Sequence, residues 1–463
     1  MPPGGIPDYG SPVRANQGGY LTSGPKRATY VTKATIALDW RLVDAGDRIV
    51  ATGKTTPYGA DAASGDEVQL IDFGRFRHTG SGFRLAVGDD VSEPFDIGDG
   101  IHTTLRRDAL EYFYNNRSGI EIKAEYVGEQ YSRAAGHIGI APNKGDKSVP
   151  CFPGTCDYSL DVSGGWYDAG DHGKYVVNGA LAAWQLLDLY EQSGTTALRI
   201  AEARNGIPDV LDEAAADPQQ RYLYPPSTAA TLNLAAVGSR CARIYARWDR
   251  QLAKRCLTAA ETAWNAARQH PALYAPPGGE GGGAYDDTKV ADEFSWAAAE
   301  LFGATGKASY KRFITTGLEA ADGFSWQETA GLADLAIAAD LTGRTAYRSA
   351  ALESLDYLLG RNPVGTSYVT GYGERSSHNQ HHRSWAHSLN PALPSPYAGS
   401  LAGGPNSGLQ DPVAQRNLQG CAPAKCYVDE IGSYSTNERP ELELRPRLAH
   451  RLRRHPGQEP TRR

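Results

Sequence analysis

The spacing of apolar residues changes character near residue 100. Up to Ile97, apolar and polar residues alternate in short runs broken by Gly, Pro, Asp and Ser; the runs fall at 28–31, 37–43, 48–51, 68–73 and 83–87. A period of two predicts strands, and strands at this spacing favour a β-sandwich. Beyond Asp99 the period becomes 3.6, which predicts helices at 176–190, 231–248, 256–270, 292–303, 329–341 and 347–360.

The two patterns predict two domains, for which a chain of 463 residues is long enough. A long series of amphipathic helices with almost no strand signal favours an all-α barrel or solenoid. The fold class is therefore mainly α, with a small β-sandwich in front. We expect a disordered segment over 1–12, the sandwich over 13–99, the helical domain over 100–438 and an aberrant basic tail over 439–463.

The first candidate chemistry lies in a turn rich in Gly and aromatic residues at 164–175. Asp168 and Asp171 lie three positions apart in this turn, directly before a predicted helix. Backbone N–H groups and the positive helix end keep such carboxylates ionised, so the pair can orient a water molecule and take its proton. Trp166 and Tyr167 offer flat faces of the kind on which sugars stack. The alternative is an N-cap Asp with a solvated neighbour.

A third carboxylate, Glu438, stands far along the chain, after a polar turn that contains Asp429 and Tyr434. Only a closed fold can bring it opposite the first pair. Hydrolysis of a glycosidic bond with inversion needs a base that activates water on one face of the sugar and an acid about 6.5–9.5 Å away. Between the two motifs lie His381 and Arg383, whose side chains are suited to holding sugar hydroxyls.

These three motifs, in this order, resemble glycoside hydrolase family 9, the inverting cellulases. The resemblance implies that Asp171 is the general base, that Asp168 helps to hold the water and that Glu438 is the general acid. It aligns His381 with the signature histidine of the family. Gln380 departs from the family pattern, which usually has an apolar residue or proline before that histidine.

The resemblance also implies an (α/α)6 barrel with a cleft built from loops at one end, and an endo-β-1,4-glucanase that acts on β-glucan as a monomer. The stretch Arg14–Leu21 looks like the start of the immunoglobulin-like module that precedes many family 9 catalytic domains. A carbohydrate-binding module is the alternative for the sandwich, although its aromatic residues are sparse. Contributions to sugar binding are then expected from Arg383, Trp166, Tyr167, Asp429, Tyr434 and Trp326.

Six cysteines fall into three local pairs, which suits an oxidising compartment: Cys151 with Cys156, Cys241 with Cys256, and Cys421 with Cys426. Zinc is the competing interpretation for the first pair, since some family members carry a Cys/His zinc site beside the same turn. No Cys-His dipeptide accompanies these cysteines, so we favour disulfides. The resemblance implies no required cofactor and leaves a structural calcium or zinc ion open.

Charge and hydropathy narrow the choice of partners. The net charge is −6 and the pI about 6.0, so the chain has no basic field for nucleic acid. No run of eighteen apolar residues predicts a membrane span. Residues 1–12 carry neither the basic nor the apolar region of a secretion signal, which leaves open a start further upstream. With the cysteine pairs, we expect an extracellular enzyme.

Two departures from the family pattern suggest damage. In the first, about forty positions of the family pattern have no counterpart near 214–217. In the second, an Arg-rich segment at 439–463 replaces the closing helix of the family. Back-translation of Pro440–His450 with GC-rich codons and a one-base shift restores a Pro-Asn-Trp-Asn sequence, so we infer a frameshift. The alternative is a real basic tail that binds an anionic surface.

Two other functions stay open. One is a carbohydrate-binding or scaffold protein that keeps the fold and no longer hydrolyses a substrate. The other is a related β-glucan or xyloglucan hydrolase with the same mechanism.

Overall fold

The computed structural model describes residues 8–168, 171–193, 220–276, 285, 287–315, 329, 345–382 and 384–437. The described residues belong to two compact units. The first unit comprises 8–112 and 345–437, and the second comprises the described residues from 113 to 329.

The N-terminal part of the first unit is built of two antiparallel sheets. The strands are β1 Val13–Arg14, β2 Arg27–Val31, β3 Asp39–Val43, β4 Ile49–Lys54, β5 Thr56–Asp61, β6 Asp66–Asp72, β7 Gly80–Val87, β8 Asp90–Val91 and β9 Phe95–Ile97. One sheet has the strand order β1-β2-β6-β5, and the other has the order β4-β3-β7-β8 with β9 also paired to β7. All five predicted strand runs are confirmed. Four strands were not predicted: β1, β8 and β9 have only two or three residues, and in β5 Pro and Gly interrupt the pattern and most residues are exposed.

Aromatic rings fill the core between these sheets. The ring of Tyr20 meets those of Phe73 and Phe95 edge-on, with centroid distances of 5.0 and 5.1 Å. Trp40 and Leu42 alternate inward along β3, as the period of two predicts. Burial of these side chains is the main source of stability for the sandwich.

The remainder of the described chain is mainly helical. The helices are α1 Thr103–Asn115, α2 Ala124–Val127, α3 Val176–Ser193, α4 Thr228–Tyr245, α5 Arg250–Gln269, α6 Ala291–Thr305, α7 Thr345–Leu358 and α8 Pro412–Asn417, with two short paired strands, β10 Val149–Pro150 and β11 Ser159–Leu160. Five of the six predicted helices are confirmed within a few residues. The helix predicted at 329–341 lies, apart from Thr329, outside the described residues. None of the helices in the described ranges is long and apolar enough to cross a membrane.

Small residues let α4, α5 and α6 approach closely in the second unit. Alanines of all three helices are buried in one cluster with Trp264 and Trp296. A Cβ at Gly238 would lie 2.9 Å from the carbonyl oxygen of Cys256, so only glycine fits where α4 meets α5. A disulfide between Cys241 and Cys256 joins the same two helices, with their Cα atoms 6.1 Å apart.

A buried ion cluster ties α3, α4 and α6 together. The Arg240 guanidinium is 2.8 Å from Glu300, 2.9 Å from Glu191 and in contact with Asp188. The Trp184 indole N–H donates to Glu300 at 2.5 Å. Since Glu300 is 1% exposed, it depends on these partners.

In the first unit, hydrogen bonds join the sandwich to the segment 356–375. The Asn16 amide donates to the Asp356 carboxylate at 2.8 Å. Gln17 bonds through its backbone N–H to Leu359, and through its side chain to Gly365 and Arg375, at 2.8 to 3.0 Å. The sandwich therefore serves as a structural brace for this segment.

Asp356 makes this brace sensitive to pH. Burial raises the pKa of its carboxyl to about 8, and the Asn16 and Arg361 side chains oppose that shift only in part. The folded state therefore keeps a proton that the unfolded state releases above about pH 4, and stability falls as the pH rises from about 4 to 8.

We predict that Asp356→Asn removes this dependence. The melting temperature of the variant minus that of wild type should increase steadily between pH 4.5 and 8. Over this range the wild type loses at most about 1.4 kcal/mol of stability per pH unit, because its unfolded state releases the proton that its folded state keeps. Thermal melts across this range measure it, with the exposed Asp39→Asn as the control. A difference that stays constant with pH would show that Asp356 is ionised in the folded protein.

Candidate active site

The turn at 164–175 belongs to the second unit, and backbone hydrogen bonds fix its shape. Gly164 and Gly165 have φ values of 77° and 74°, which other residues rarely adopt. The Tyr167 N–H donates to the Asn116 carbonyl at 3.0 Å, and the Asn116 amide donates back to the Tyr167 carbonyl at 2.5 Å. Asn116 begins an Asn-Arg-Ser glycosylation sequon, but this buried side chain is used inside the fold.

Asp168 is buried and has a hydrogen-bond donor on each carboxylate oxygen. Its own N–H donates to the Gly173 carbonyl at 3.0 Å and closes the turn. The Asn178 amide, in the first turn of α3, donates to Oδ1 at 2.9 Å, and the Tyr285 hydroxyl donates to Oδ2. With only 3% of its surface exposed, Asp168 is held in one orientation.

Asp171 is partly exposed, so it is the carboxylate of the pair that solvent and a ligand can reach. Its Oδ2 accepts from the Gly173 N–H at 2.9 Å and from the Tyr175 hydroxyl at 3.2 Å. A Cβ at Gly173 would lie 2.6 Å from that hydroxyl, so a larger residue here would displace the Tyr175 side chain. The rings of Tyr175 and Tyr285 are 4.3 Å apart, so one tyrosine pair contacts both carboxylates.

The two aromatic residues before Asp168 differ in accessibility. The ring of Tyr167 is 4% exposed and packs against His137, with the Arg133 guanidinium 5.5 Å from its centre. Both its ring and its hydroxyl already have partners inside the fold, and a contact of Tyr167 with sugar stays a prediction. Trp166 is half-buried, and its indole N–H donates to the Phe113 carbonyl at 2.8 Å. Its role in sugar binding stays a prediction.

The C-terminal motif belongs to the first unit and is organised by Asp429. Its carboxylate accepts from the backbone N–H of His378 at 2.8 Å and of Asn379 at 3.0 Å. It also accepts from the Ser377 hydroxyl at 3.1 Å and from the Asn437 amide at 3.0 Å. Asp429 therefore joins the loop at 377–379 to the residue directly before Glu438.

His381 is fixed by the same segment. The backbone N–H of His381 donates to the Asn437 carbonyl at 2.8 Å. The ring atom Nδ1 lies 2.6 Å from the Ile431 carbonyl oxygen, so Nδ1 carries the ring proton. The exposed ring of Tyr434 is 6.0 Å from its ring. Gln380 is fully buried, and its amide donates to Thr370 and to the Ser400 carbonyl, both at 3.0 Å. Polar partners thus explain a Gln where the family pattern is apolar.

Three predicted site residues, Glu438, Arg383 and Trp326, lie outside the described residues. Of the others, Asp168 and Asp171 belong to one unit, and His381, Asp429 and Tyr434 belong to the other. Their proposed roles therefore stay predictions.

The cysteines join in the predicted pairs. Cα–Cα distances are 5.5 Å for Cys151–Cys156 and 5.4 Å for Cys421–Cys426. Since Cys151 and Cys156 bond to each other, their thiolates are not available to zinc. Within the described ranges, no group of three or more His, Cys, Asp or Glu side chains has the arrangement of a metal site.

The sequence did not reveal the residues that hold the carboxylates. Tyr175 and Asn178 follow Asp171 closely, so their position beside the turn was the available signal. Nothing in the spacing of Tyr285 indicates that its hydroxyl meets Asp168, 117 positions away.

Comparison with known families identifies the class of protein. Residues 102–216, 209–339 and 329–440 match the model of glycosyl hydrolase family 9, and residues 8–92 match the cellulase N-terminal ig-like domain. The chain belongs to glycosyl hydrolase family 9, and it has the predicted fold class, a small immunoglobulin-like sandwich before an (α/α)6-barrel hydrolase domain.

Individual cellulases of known sequence or structure are also similar to this chain. The chain is 44% identical to Endoglucanase C of Cellulomonas fimi, over 94% of this chain and 51% of that protein. It is 36% identical to a cellulose 1,4-beta-cellobiosidase of Acetivibrio thermocellus, over 92% of this chain and 65% of that protein. A metagenome-derived family 9 endoglucanase structure matches with a TM-score of 0.76 at 27% identity, covering 95% of this chain and 98% of its own. The chain thus spans about half to two thirds of the length of these two curated relatives.

The family match is interrupted. Its three pieces overlap at 209–216 and at 329–339. The alignment with Endoglucanase C runs over 562 positions, whereas 94% of this chain is about 435 residues, so about 127 positions have no counterpart here.

We predict that Asp429→Ala destabilises the first unit by about 1–3 kcal/mol, because partly buried N–H and O–H donors lose their acceptor. Asp429→Asn keeps one acceptor oxygen and should cost less. Urea unfolding measures both. The neighbouring Glu430→Ala is the control, since it removes only an exposed ion pair with Arg416. Equal losses for Asp429→Ala and Glu430→Ala would contradict the organising role of Asp429.

Proposed function

We propose that this chain is an endo-β-1,4-glucanase, a cellulase that hydrolyses β-1,4-glucosidic bonds with inversion. The observation that carries the proposal is the carboxylate pair in a family 9 chain. Asp168 is buried and fixed by two donors, while Asp171 beside it is partly exposed. A fixed and an accessible carboxylate together suit the positioning and deprotonation of one water molecule.

In this mechanism Asp171 takes the proton of the attacking water and Asp168 helps to orient that water. Glu438 protonates the leaving oxygen from the opposite side of the sugar, as inversion requires. The reaction needs carboxylates and water, and no cofactor.

The sugar is held by polar and aromatic side chains near both motifs. His381 presents a ring whose tautomer is fixed by the Ile431 carbonyl, and the exposed Tyr434 lies beside it. We assign substrate contacts to these two residues, with Trp166, Asp429, Arg383 and Trp326. The substrate is a β-glucan, with xyloglucan or a related glucan as the alternative specificity, and the protein acts as a monomer. Three local disulfides support an extracellular location.

A second candidate is a catalytically impaired remnant of the same fold that still binds carbohydrate. The interrupted family match and the 127 unmatched positions of the alignment favour it. Release of reducing sugar from carboxymethylcellulose separates the two candidates. A chain that binds cello-oligosaccharides without releasing sugar is the remnant.

We predict that Asp171→Asn lowers kcat on carboxymethylcellulose by ~10²–10⁴, because a positioned general base is lost. Binding of cellohexaose, measured by calorimetry, should stay within a few-fold of wild type. Asp161→Asn, an exposed carboxylate of the same unit, is the matched control and should keep full activity. Unchanged turnover in Asp171→Asn would exclude this residue as the base.

A further inference from the structure

A second polar cluster contacts the carboxylate turn through Arg221 and Lys174, in the same unit. At its centre is Asp146, whose side chain is 1% exposed. Its carboxylate forms ion pairs with the Lys174 ammonium and with Arg221 Nε, the latter at 2.5 Å. Burial lowers the pKa of Lys174, and its bond to Asp146 opposes that shift. Such a buried carboxylate is stable only while its cations remain in place.

Arg221 extends from this cluster to both sides of the turn. Its Nη2 donates to the carbonyl oxygen of His172, the residue after Asp171, at 3.0 Å. Its Nη1 lies 3.2 Å from His137 Nε2. Since a guanidinium can only donate, Nε2 must accept, and the ring proton is on Nδ1. That Nδ1 lies 2.5 Å from the hydroxyl oxygen of Tyr167, the residue before Asp168.

Lys174 supplies the third attachment. Besides Asp146, its ammonium bonds to the Val162 carbonyl at 2.9 Å, on the entry side of the turn. The turn is therefore held before Asp168, after Asp171 and at its exit into α3.

We propose that Arg221, anchored on Asp146, is a positioning residue for the Asp168–Asp171 pair. This inference rests on the proposed function. Arg221 contacts neither carboxylate of the pair. It holds the backbone of the turn that carries both of them. A guanidinium fits this role because it has donors in three directions, to Asp146, His172 and His137. An ammonium cannot make all three contacts with the same geometry.

The test compares Arg221→Met with Arg221→Lys in the full chain. Arg221→Met should lower kcat on cellopentaose by ~10²-fold, because a small misplacement of the reacting groups is enough for such a loss. KM should change less than threefold, since no sugar contact is removed. Arg221→Lys keeps a charge on Asp146 and should recover part of kcat.

Arg243→Met is the matched control, because it also removes an ion-paired arginine of this unit, at Glu191 and Glu300. It should lower the melting temperature and leave kcat per folded molecule unchanged. Hydrogen–deuterium exchange adds a readout that needs no activity: amides of 164–175 should exchange faster in Arg221→Met and not in Arg243→Met.

The outcomes separate this inference from the proposed function. If the wild-type chain hydrolyses nothing, the proposed function fails, and faster exchange at 164–175 still supports the positioning role. If the amides of 164–175 exchange in Arg221→Met at the wild-type rate, the positioning role of Arg221 is overturned. Equal losses of kcat per folded molecule in Arg221→Met and Arg243→Met would also overturn it.

Discussion

The residues of the candidate site depend on hydrogen-bond donors brought to carboxylates that the fold buries fully, as for Asp168, or in part, as for Asp429. An ionised carboxylate is costly to bury unless donors replace its lost solvent. Asp168 receives Asn178 and Tyr285 on its two oxygens, and Asp429 receives two backbone N–H groups of one loop. Neither carboxylate can move without leaving these donors unpaired. The same requirement therefore fixes the turn at 164–175 in one unit and the loop at 377–379 in the other.

Local features of the chain could be predicted, and contacts between distant residues could not. Alternating and helical periods located five of the strands and most of the helices, because the geometry of each element repeats which side chains face the core. The carboxylate turn was visible as a motif. Its supports were not, because Tyr285 lies 117 positions from Asp168 and Asn16 lies 340 from Asp356. The burial of Tyr167 was missed for the same reason: His137 covers it from 30 positions away.

The family comparison and the fold bear on whether the chain can act. Endoglucanase C and the cellobiosidase align with 94% and 92% of this chain, so these two relatives share both the sandwich and the helical domain. In this chain the sandwich donates to and accepts from the segment at 356–375, which leads directly into the His381 block. The two breaks in the family match, at 209–216 and 329–339, come after Asp168 and Asp171 in the sequence. Both carboxylates therefore lie in one piece of the match, the one over 102–216.

Inversion is the central claim, and the anomeric form of the first product tests it most directly. Proton NMR of cellopentaose during the first minutes of hydrolysis distinguishes the two anomers before they interconvert. Attack by water activated on the face opposite the leaving group predicts that the α-anomer of the new reducing end appears first, with the β-anomer growing later by mutarotation. A β-anomer that appears first would contradict the assignment of Asp171 as a base acting on water.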